Sequence, residues 1–95
     1  MARVLIVDDA MFMRQALSMA IKEMGHEVVG MGSNGEEAIA LYNKLQPDIV
    51  TMDITMPVMN GLDALKEIKK VSPKAKIVMV SAMGQQPMVI EAIQK

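Results

Sequence analysis

Short apolar runs alternate along the chain with segments in which apolar residues recur every three or four positions. Four runs have the length and β-branched content of buried strands, and turn-forming or charged residues bound them: Arg3–Val7, 27–31, 48–53 and 76–80. The helical spacing predicts helices over residues of about 11 to 24, 33 to 46, 60 to 72 and 87 to 95. Such alternation predicts a doubly wound α/β fold with a parallel sheet, built from four strand-helix units.

Turn and capping residues predict where several of these elements end. Gly25 is the expected stop of the first helix, and Gly30 makes the second strand suited to an edge of the sheet. Ser33 and Glu36 have the spacing of a capping box, and Asn60 can cap the third helix. The expected inward stripe of the first helix consists of Met13, Leu17, Ala20, Ile21 and Met24.

Composition and charge narrow the class of protein. The 95 residues are 52% hydrophobic and 22% charged, which is typical of one small globular domain. The net charge of −1 and the presence of only two aromatic residues, Phe12 and Tyr42, argue against a nucleic-acid partner. The chain has no cysteine and no apolar stretch of membrane-spanning length, so we expect a cytoplasmic protein without a membrane partner.

Three carboxylates follow two of the predicted strands. Asp8 and Asp9 come directly after the first apolar run, and Asp53 ends the third. Any one of them alone would be interpreted as an ordinary acid near a helix N-terminus. Since the carboxyl ends of parallel strands meet at one edge of a sheet, we expect all three to converge there, where their repulsion calls for a divalent cation.

Four features of the sequence coincide: the acidic pair Asp8-Asp9, the acid Asp53, Pro57 and Gly61 at fixed offsets beyond it, and the small pair Ser81-Ala82 after the fourth run. Together they resemble the receiver domain of bacterial two-component response regulators, and the resemblance covers all 95 residues. It implies a flavodoxin-like sheet with the strand order 2-1-3-4-5.

The resemblance also implies a role for each site residue. Asp53 matches the phosphoacceptor, and Asp8, Asp9, Asp53 and the backbone carbonyl of Thr55 match the ligands of Mg²⁺. Ser81 matches the switch hydroxyl that binds the phosphoryl group. The implied partners are a sensor histidine kinase and a downstream target, such as a flagellar motor switch component in chemotaxis. The protein would therefore be a phosphoacceptor in signalling rather than a conventional enzyme.

One departure from the family pattern concerns the end of the sequence. Receiver domains continue through a fifth strand, which begins with a phosphate-binding lysine, and a fifth helix; neither is expected within residues 1–95. We therefore expect an incomplete receiver domain whose fourth strand, 76–80, is an exposed edge open to self-association. The alternative function is a receiver-derived fragment that self-associates and no longer switches.

Two other classes of protein fit the pattern less well. A flavin or nucleotide binder needs a glycine-rich or hydroxyl-rich phosphate loop after the first strand, where this chain has Asp8-Asp9. A metal-dependent aspartyl phosphatase usually has its nucleophile after the first strand, whereas the candidate nucleophile here, Asp53, ends the third.

Overall fold

The computed structural model describes residues 1–54, 56, 58–81 and 88–92, with only the backbone described for Ser81 and for 88–92. Strands and helices alternate until the last two elements. In chain order they are β1 (Arg3–Val7), α1 (Met11–Glu23), β2 (Glu27–Gly32), α2 (Gly35–Leu45), β3 (Ile49–Asp53), α3 (Gly61–Val71), β4 (Lys76–Ser81) and β5 (Met88–Ala92).

The strands form one sheet in the order β2-β1-β3-β4-β5. The first four are parallel, and β5 runs antiparallel to β4. Val7 lies opposite Met52 and Asp53 lies opposite Val80, so β1, β3 and β4 end at the same edge. The doubly wound α/β class is confirmed, as are the first three strand-helix units and the edge position of β2.

The helix predicted over 87 to 95 is wrong for Met88–Ala92, which forms strand β5. Beyond these residues, 82–87 and 93–95 lie outside the described part. Met88–Ala92 forms a strand because the outer edge of β4 presents backbone N–H and C=O groups that need partners, and β5 supplies them. The β4 edge predicted to be exposed is therefore covered, which removes the basis for self-association through it.

The main core lies between the sheet and the helices α2 and α3. Strand side chains on this face are fully buried, and buried helix residues pack on them: Leu5, Val7, Val50, Met52, Ile77 and Met79 from the sheet, with Ala38, Tyr42, Ala64 and Ile68 from the helices. Protein interiors pack as densely as organic crystals, so this core gives the strand ends a rigid base. In the described part, no helix has the length and apolar character needed to cross a membrane.

Helix α1 packs on β1 and β2 differently from the prediction. Its buried residue is Ser18, which is 5% exposed, whereas Met24 of the expected stripe is 68% exposed and Ala20 is also exposed. Met13, Leu17 and Ile21 are half-buried. The face that lies against the sheet is therefore rotated towards Ser18, whose small side chain allows a close approach of helix and sheet.

The caps of the helices agree with the sequence at two ends and differ at one. Gly25 follows α1 with φ of +89°, and Asn60 Oδ1 accepts a 2.9 Å hydrogen bond from the Asp63 amide. At α2 the capping box is shifted by one residue: Asn34 Oδ1 accepts from the Glu37 amide at 2.9 Å, while Glu37 accepts from the Ser33 amide at 2.7 Å. The prediction of Ser33 with Glu36 is therefore wrong by one position.

Candidate metal and phosphoryl site

The sheet brings together the three carboxylates that the sequence singled out. Asp8 directly follows β1 and Asp53 ends β3, and these strands are hydrogen-bonded neighbours. One carboxylate oxygen from each of Asp8, Asp9 and Asp53 lies within 4.8 Å of the other two. Asp8 is buried, Asp9 is exposed and Asp53 is half-buried, so the cluster has a closed side and an open side.

Asp8 is held from three directions. Its amide donates to the Gly32 carbonyl at 3.0 Å, and its Oδ1 accepts from the Ala10 amide at 2.9 Å. Its own carbonyl accepts from Arg14 Nη1 at 2.6 Å. These bonds place the Asp8 side chain at the end of β1 before any ligand arrives.

The surroundings of Asp8 disfavour its charged form. Burial raises the pKa of Asp8 above its ordinary value, and repulsion from Asp9 adds to the increase. The Ala10 amide and the Arg14 guanidinium act in the opposite direction, but they do not outweigh burial. A cation bound among the carboxylates would remove this penalty, because it stabilises the ionised form.

The segment after Asp53 folds back closely behind it. The Gly61 amide donates to the Ile54 carbonyl at 2.8 Å, and the Ile54 amide donates to the Val80 carbonyl at 3.2 Å. A Cβ atom on Gly61 would collide with the Asp53 carbonyl oxygen. The glycine singled out in the sequence is thus required by the close approach of α3 to the strand end that carries Asp53.

The connection between β3 and α3 is also tied to the start of α2. Met56 is buried in the core, and the Gly35 amide donates to the Met59 carbonyl at 2.9 Å. Between these two anchors Val58 is exposed and has φ of +69°, a left-handed conformation that is rare for a β-branched residue. The connection that follows Asp53 is therefore anchored at both ends.

The structure describes some of the predicted site residues incompletely or not at all. Thr55, Pro57 and Ala82 lie outside the described residues. The backbone of Ser81 ends β4, one residue beyond the Val80 that pairs with Asp53, so it reaches the same edge of the sheet. Sequence reasoning missed Arg14, although a cation in the first helical turn after an acidic pair was a usable signal.

The donor set fits a hard divalent cation. All three groups are carboxylates, and carboxylate oxygens are the ligands that Mg²⁺ takes, at about 2.0–2.1 Å and in company with water. Their mutual spacing of no more than 4.8 Å allows such an ion to be reached by all three, directly or through water. Within the described residues, the cluster contains neither histidine nor cysteine, the donors typical of zinc sites.

Comparison with known families agrees with this geometry. Residues 4–95 match the response regulator receiver domain, and the chain belongs to this family. It is similar to the chemotaxis protein CheY of Thermotoga maritima, with 64% identity over 92 residues that cover 97% of this chain and 77% of that protein. The chemotaxis protein CheY of Bacillus subtilis is 55% identical over 92 residues, with the same two coverages, 97% and 77%.

Solved structures of receiver domains share the fold. The CheX-CheY-BeF3-Mg²⁺ complex of Borrelia burgdorferi superposes with a TM-score of 0.83 at 37% identity, covering 88% of this chain. The present chain spans 64% of that chain. The response regulator domain of Thermotoga maritima CheB gives a TM-score of 0.81 at 44% identity, covering 88% of this chain and 63% of that one. The receiver family expected from the motifs is thereby confirmed, together with its relation to chemotaxis regulators.

Proposed function

We propose that this chain is the phosphoacceptor of a chemotaxis-type two-component system, in which a histidine kinase phosphorylates Asp53 with the help of Mg²⁺. The observation that supports this most strongly is the convergence of Asp8, Asp9 and Asp53 at one edge of the sheet, with oxygens within 4.8 Å. Asp53 is the half-buried member, so a phosphodonor can approach it while the core supports it from behind. We assign Asp8, Asp9, Asp53 and the carbonyl of Thr55 to the metal.

The reaction requires a carboxylate nucleophile aligned with a phosphoryl group. An oxygen of Asp53 attacks phosphorus, the bond from phosphorus to the histidine nitrogen of the kinase breaks, and its electron pair remains on the imidazole. Mg²⁺, when bound, neutralises charge shared by the carboxylates and the phosphoryl oxygens. The chain itself contributes the orientation, because Asp8 is fixed by three hydrogen bonds and Gly61 lets α3 close against the Asp53 carbonyl.

The response to phosphorylation is assigned to Ser81 as the switch hydroxyl. Its position one residue after the strand partner of Asp53 supports this assignment. The downstream target that we propose is a component of the flagellar motor switch, by analogy with the chemotaxis relatives, and the location that we propose is the cytoplasm. The absence of cysteine suits such a reducing compartment.

The test is the intact mass of the protein after incubation with acetyl phosphate and Mg²⁺. We expect the parent to gain one phosphoryl group and Asp53→Asn to gain none, because the amide is not a nucleophile of this kind. Asp63→Asn, which removes a carboxylate in the first turn of α3, serves as the matched control and should still be phosphorylated. Phosphorylation of Asp53→Asn, or none of the parent when it is folded, would contradict the proposal.

The alternative is a receiver-derived protein that associates with copies of itself and does not switch. This alternative requires an exposed edge of β4, and β5 covers that edge. Phosphorylation of the parent in the mass experiment, together with a monomeric state by light scattering, would contradict this alternative.

A further inference from the structure

Arg14 lies beside the acidic cluster and does not belong to the ligand set. It is in the first turns of α1, is half-buried, and donates from Nη1 to the carbonyl of Asp8 at 2.6 Å. One turn further along, Ser18 is the buried residue of the helix, and residues four apart share a helix face. Arg14 is therefore on the sheet-facing side of α1, where the rotation of the helix towards Ser18 has placed it.

The bond from Arg14 fixes the peptide that joins two of the carboxylates. The Asp8 carbonyl belongs to the peptide unit leading into Asp9, so its direction sets where the Asp9 backbone continues. Of the three hydrogen bonds that hold Asp8, one is donated by its own amide to the Gly32 carbonyl and one is donated by the Ala10 amide to its carboxylate. The third is donated by the Arg14 side chain to its carbonyl. The contact from Arg14 is thus the one of the three that a substitution can remove without changing the main chain or the Asp8 carboxylate itself.

The charge of Arg14 and its hydrogen bond have opposite effects on a metal ion. As a cation it lowers the pKa of Asp8, but it also repels any divalent cation bound nearby. As a hydrogen-bond donor it orients the turn that carries two candidate ligands, and partners of this kind strengthen metal binding. Removal of the charge alone would make Mg²⁺ binding tighter, whereas loss of the anchor would make it weaker.

We propose that Arg14 is a positioning residue for the metal site: it anchors the Asp8 carbonyl so that Asp8 and Asp9 are oriented towards a common Mg²⁺. The inference rests on the proposed function, since it assigns to Arg14 the support of that same site. Arg14 acts through Asp8 and is not itself a ligand or a nucleophile. A planar guanidinium suits this task because it makes a directed, charge-assisted bond to a carbonyl oxygen.

The experiment measures Mg²⁺ affinity by isothermal titration calorimetry for the parent, Arg14→Met and Lys22→Met. Lys22 is in the last turn of the same helix and is exposed, so Lys22→Met removes one positive charge from α1 far from the carboxylates. We expect Arg14→Met to bind Mg²⁺ about 10-fold more weakly, as when other outer-shell partners are removed. Lys22→Met should match the parent, and Arg14→Lys, which keeps a charged donor, should lie between the parent and Arg14→Met.

The direction in which Mg²⁺ affinity changes in Arg14→Met decides whether Arg14 acts as an anchor. Equal or tighter Mg²⁺ binding by Arg14→Met would overturn the inference, because only the loss of an anchor weakens binding when a cation is removed. Far-UV circular dichroism checks that each variant is folded, and if Arg14→Met does not fold, Arg14→Gln replaces it in the same comparison. A parent that binds no Mg²⁺ would overturn the proposed function and this inference together, whereas equal affinities of parent and variant would overturn the inference alone.

A second readout needs no metal. Amide hydrogen exchange at Asp9 and Ala10 reports how firmly the turn is held, and we expect faster exchange there in metal-free Arg14→Met than in metal-free Lys22→Met. Unchanged exchange at both amides would also count against the anchoring role.

Discussion

At the scale of single residues, the protonation state of Asp8 that favours folding differs from the one that a metal ion would need. Asp8 is 5% exposed, and burial raises its pKa, so the ionised carboxylate is unfavourable in the metal-free fold. The same burial strengthens the attraction of this carboxylate for a divalent cation, because the local dielectric constant is low. The buried Asp8 carboxylate therefore lowers the stability of the metal-free protein and at the same time prearranges a cation site.

This conflict predicts how Asp8→Asn will affect stability. Because the folded-state pKa lies above the ordinary value of 3.8, the folded protein holds this proton more tightly than the unfolded chain. Its contribution to stability therefore declines as pH rises from 3.8 through the folded-state pKa, and it stays unfavourable at neutral pH. We expect Asp8→Asn to raise the Tm in EDTA at pH 7 by roughly 4 °C, which corresponds to about 1 kcal/mol.

The measurement is thermal unfolding in EDTA across the acid range. The gain from Asp8→Asn should disappear below pH 3.8, where the parent carboxyl is protonated in both states. Asp63→Asn, a variant of an exposed carboxylate, should give no such gain. A lower Tm for Asp8→Asn than for the parent at pH 7 in EDTA would show that the hydrogen bonds of the carboxylate outweigh its burial.

At the scale of elements, tertiary contacts decide where helices begin and how close they come to the sheet. Ser33 and Asn34 are both good capping residues, and the sequence alone favoured Ser33. The helix starts at Gly35 instead, where the Gly35 amide donates to the Met59 carbonyl from another part of the chain. A distant loop has thus selected between two neighbouring caps.

The start of α3 gives a prediction at the same scale. Gly61→Ala would press a Cβ atom against the Asp53 carbonyl oxygen, so α3 must move away from β3. We expect a loss of about 1–3 kcal/mol in the free energy of unfolding, which is the usual cost of overpacking. Mg²⁺ affinity should fall as well, because the backbone of Asp53 shifts with the helix.

Gly25→Ala is the matched control for this experiment. Gly25 has φ of +89° and open space around its Cβ position, so alanine there brings backbone strain of about 1 kcal/mol and no collision. Stability should therefore fall in both variants, whereas Mg²⁺ affinity by calorimetry should fall only in Gly61→Ala. Equal Mg²⁺ affinity in the two variants would show that the position of α3 does not control the site.

At the scale of the whole molecule, the two faces of the sheet differ in how they are covered. The face under α2 and α3 contains the main cluster of buried residues, while α1 lies over β1 and β2 and leaves large apolar side chains exposed, among them Phe12, Met19 and Met24. At the edge beyond β4, the strand β5 provides partners for backbone groups that would otherwise face solvent. Burial of the main core thus depends on α2 and α3, whereas backbone pairing at the outer edge of β4 depends on β5.

The pairing of β5 with β4 predicts the effect of a proline in β5. Glu91 lies opposite Val78, and Glu91→Pro removes a backbone N–H and forces a conformation that disfavours strand pairing. We expect the β4 amides to lose roughly ten-fold of their protection from hydrogen exchange, equivalent to about 1.4 kcal/mol. The released edge should make the protein associate as concentration rises, measured by light scattering.

Glu91→Lys keeps the backbone N–H and is the matched control. Its β4 amides should remain protected from hydrogen exchange, and its molar mass by light scattering should remain that of the parent. If Glu91→Pro showed the same β4 protection and the same mass as Glu91→Lys, the β5 pairing would make no contribution to the closure of this edge.

Much of the site was predictable because it follows from strand ends. Asp8, Asp9 and Asp53 were placed together from the rule that parallel strands end at one edge, and Gly61 was recognised by its offset. Arg14 was missed because helical periodicity left it outside the predicted inward stripe of the first helix. Its contact depends on the rotation of α1 towards Ser18, which no local pattern contains.

The amino-acid sequence predicts the strand-helix alternation, the parallel pairing of β1 to β4 and the meeting of three carboxylates at their ends, because these depend on short-range periodicity and on the direction of the strands. Three features depend on the packed fold: the strand at Met88–Ala92, the cap at Asn34 and the contact of Arg14 with Asp8. Each of these is settled by a partner far away in the chain or by the packing of one element on another. The free energy of such a contact depends on geometry that exists only after the elements have packed.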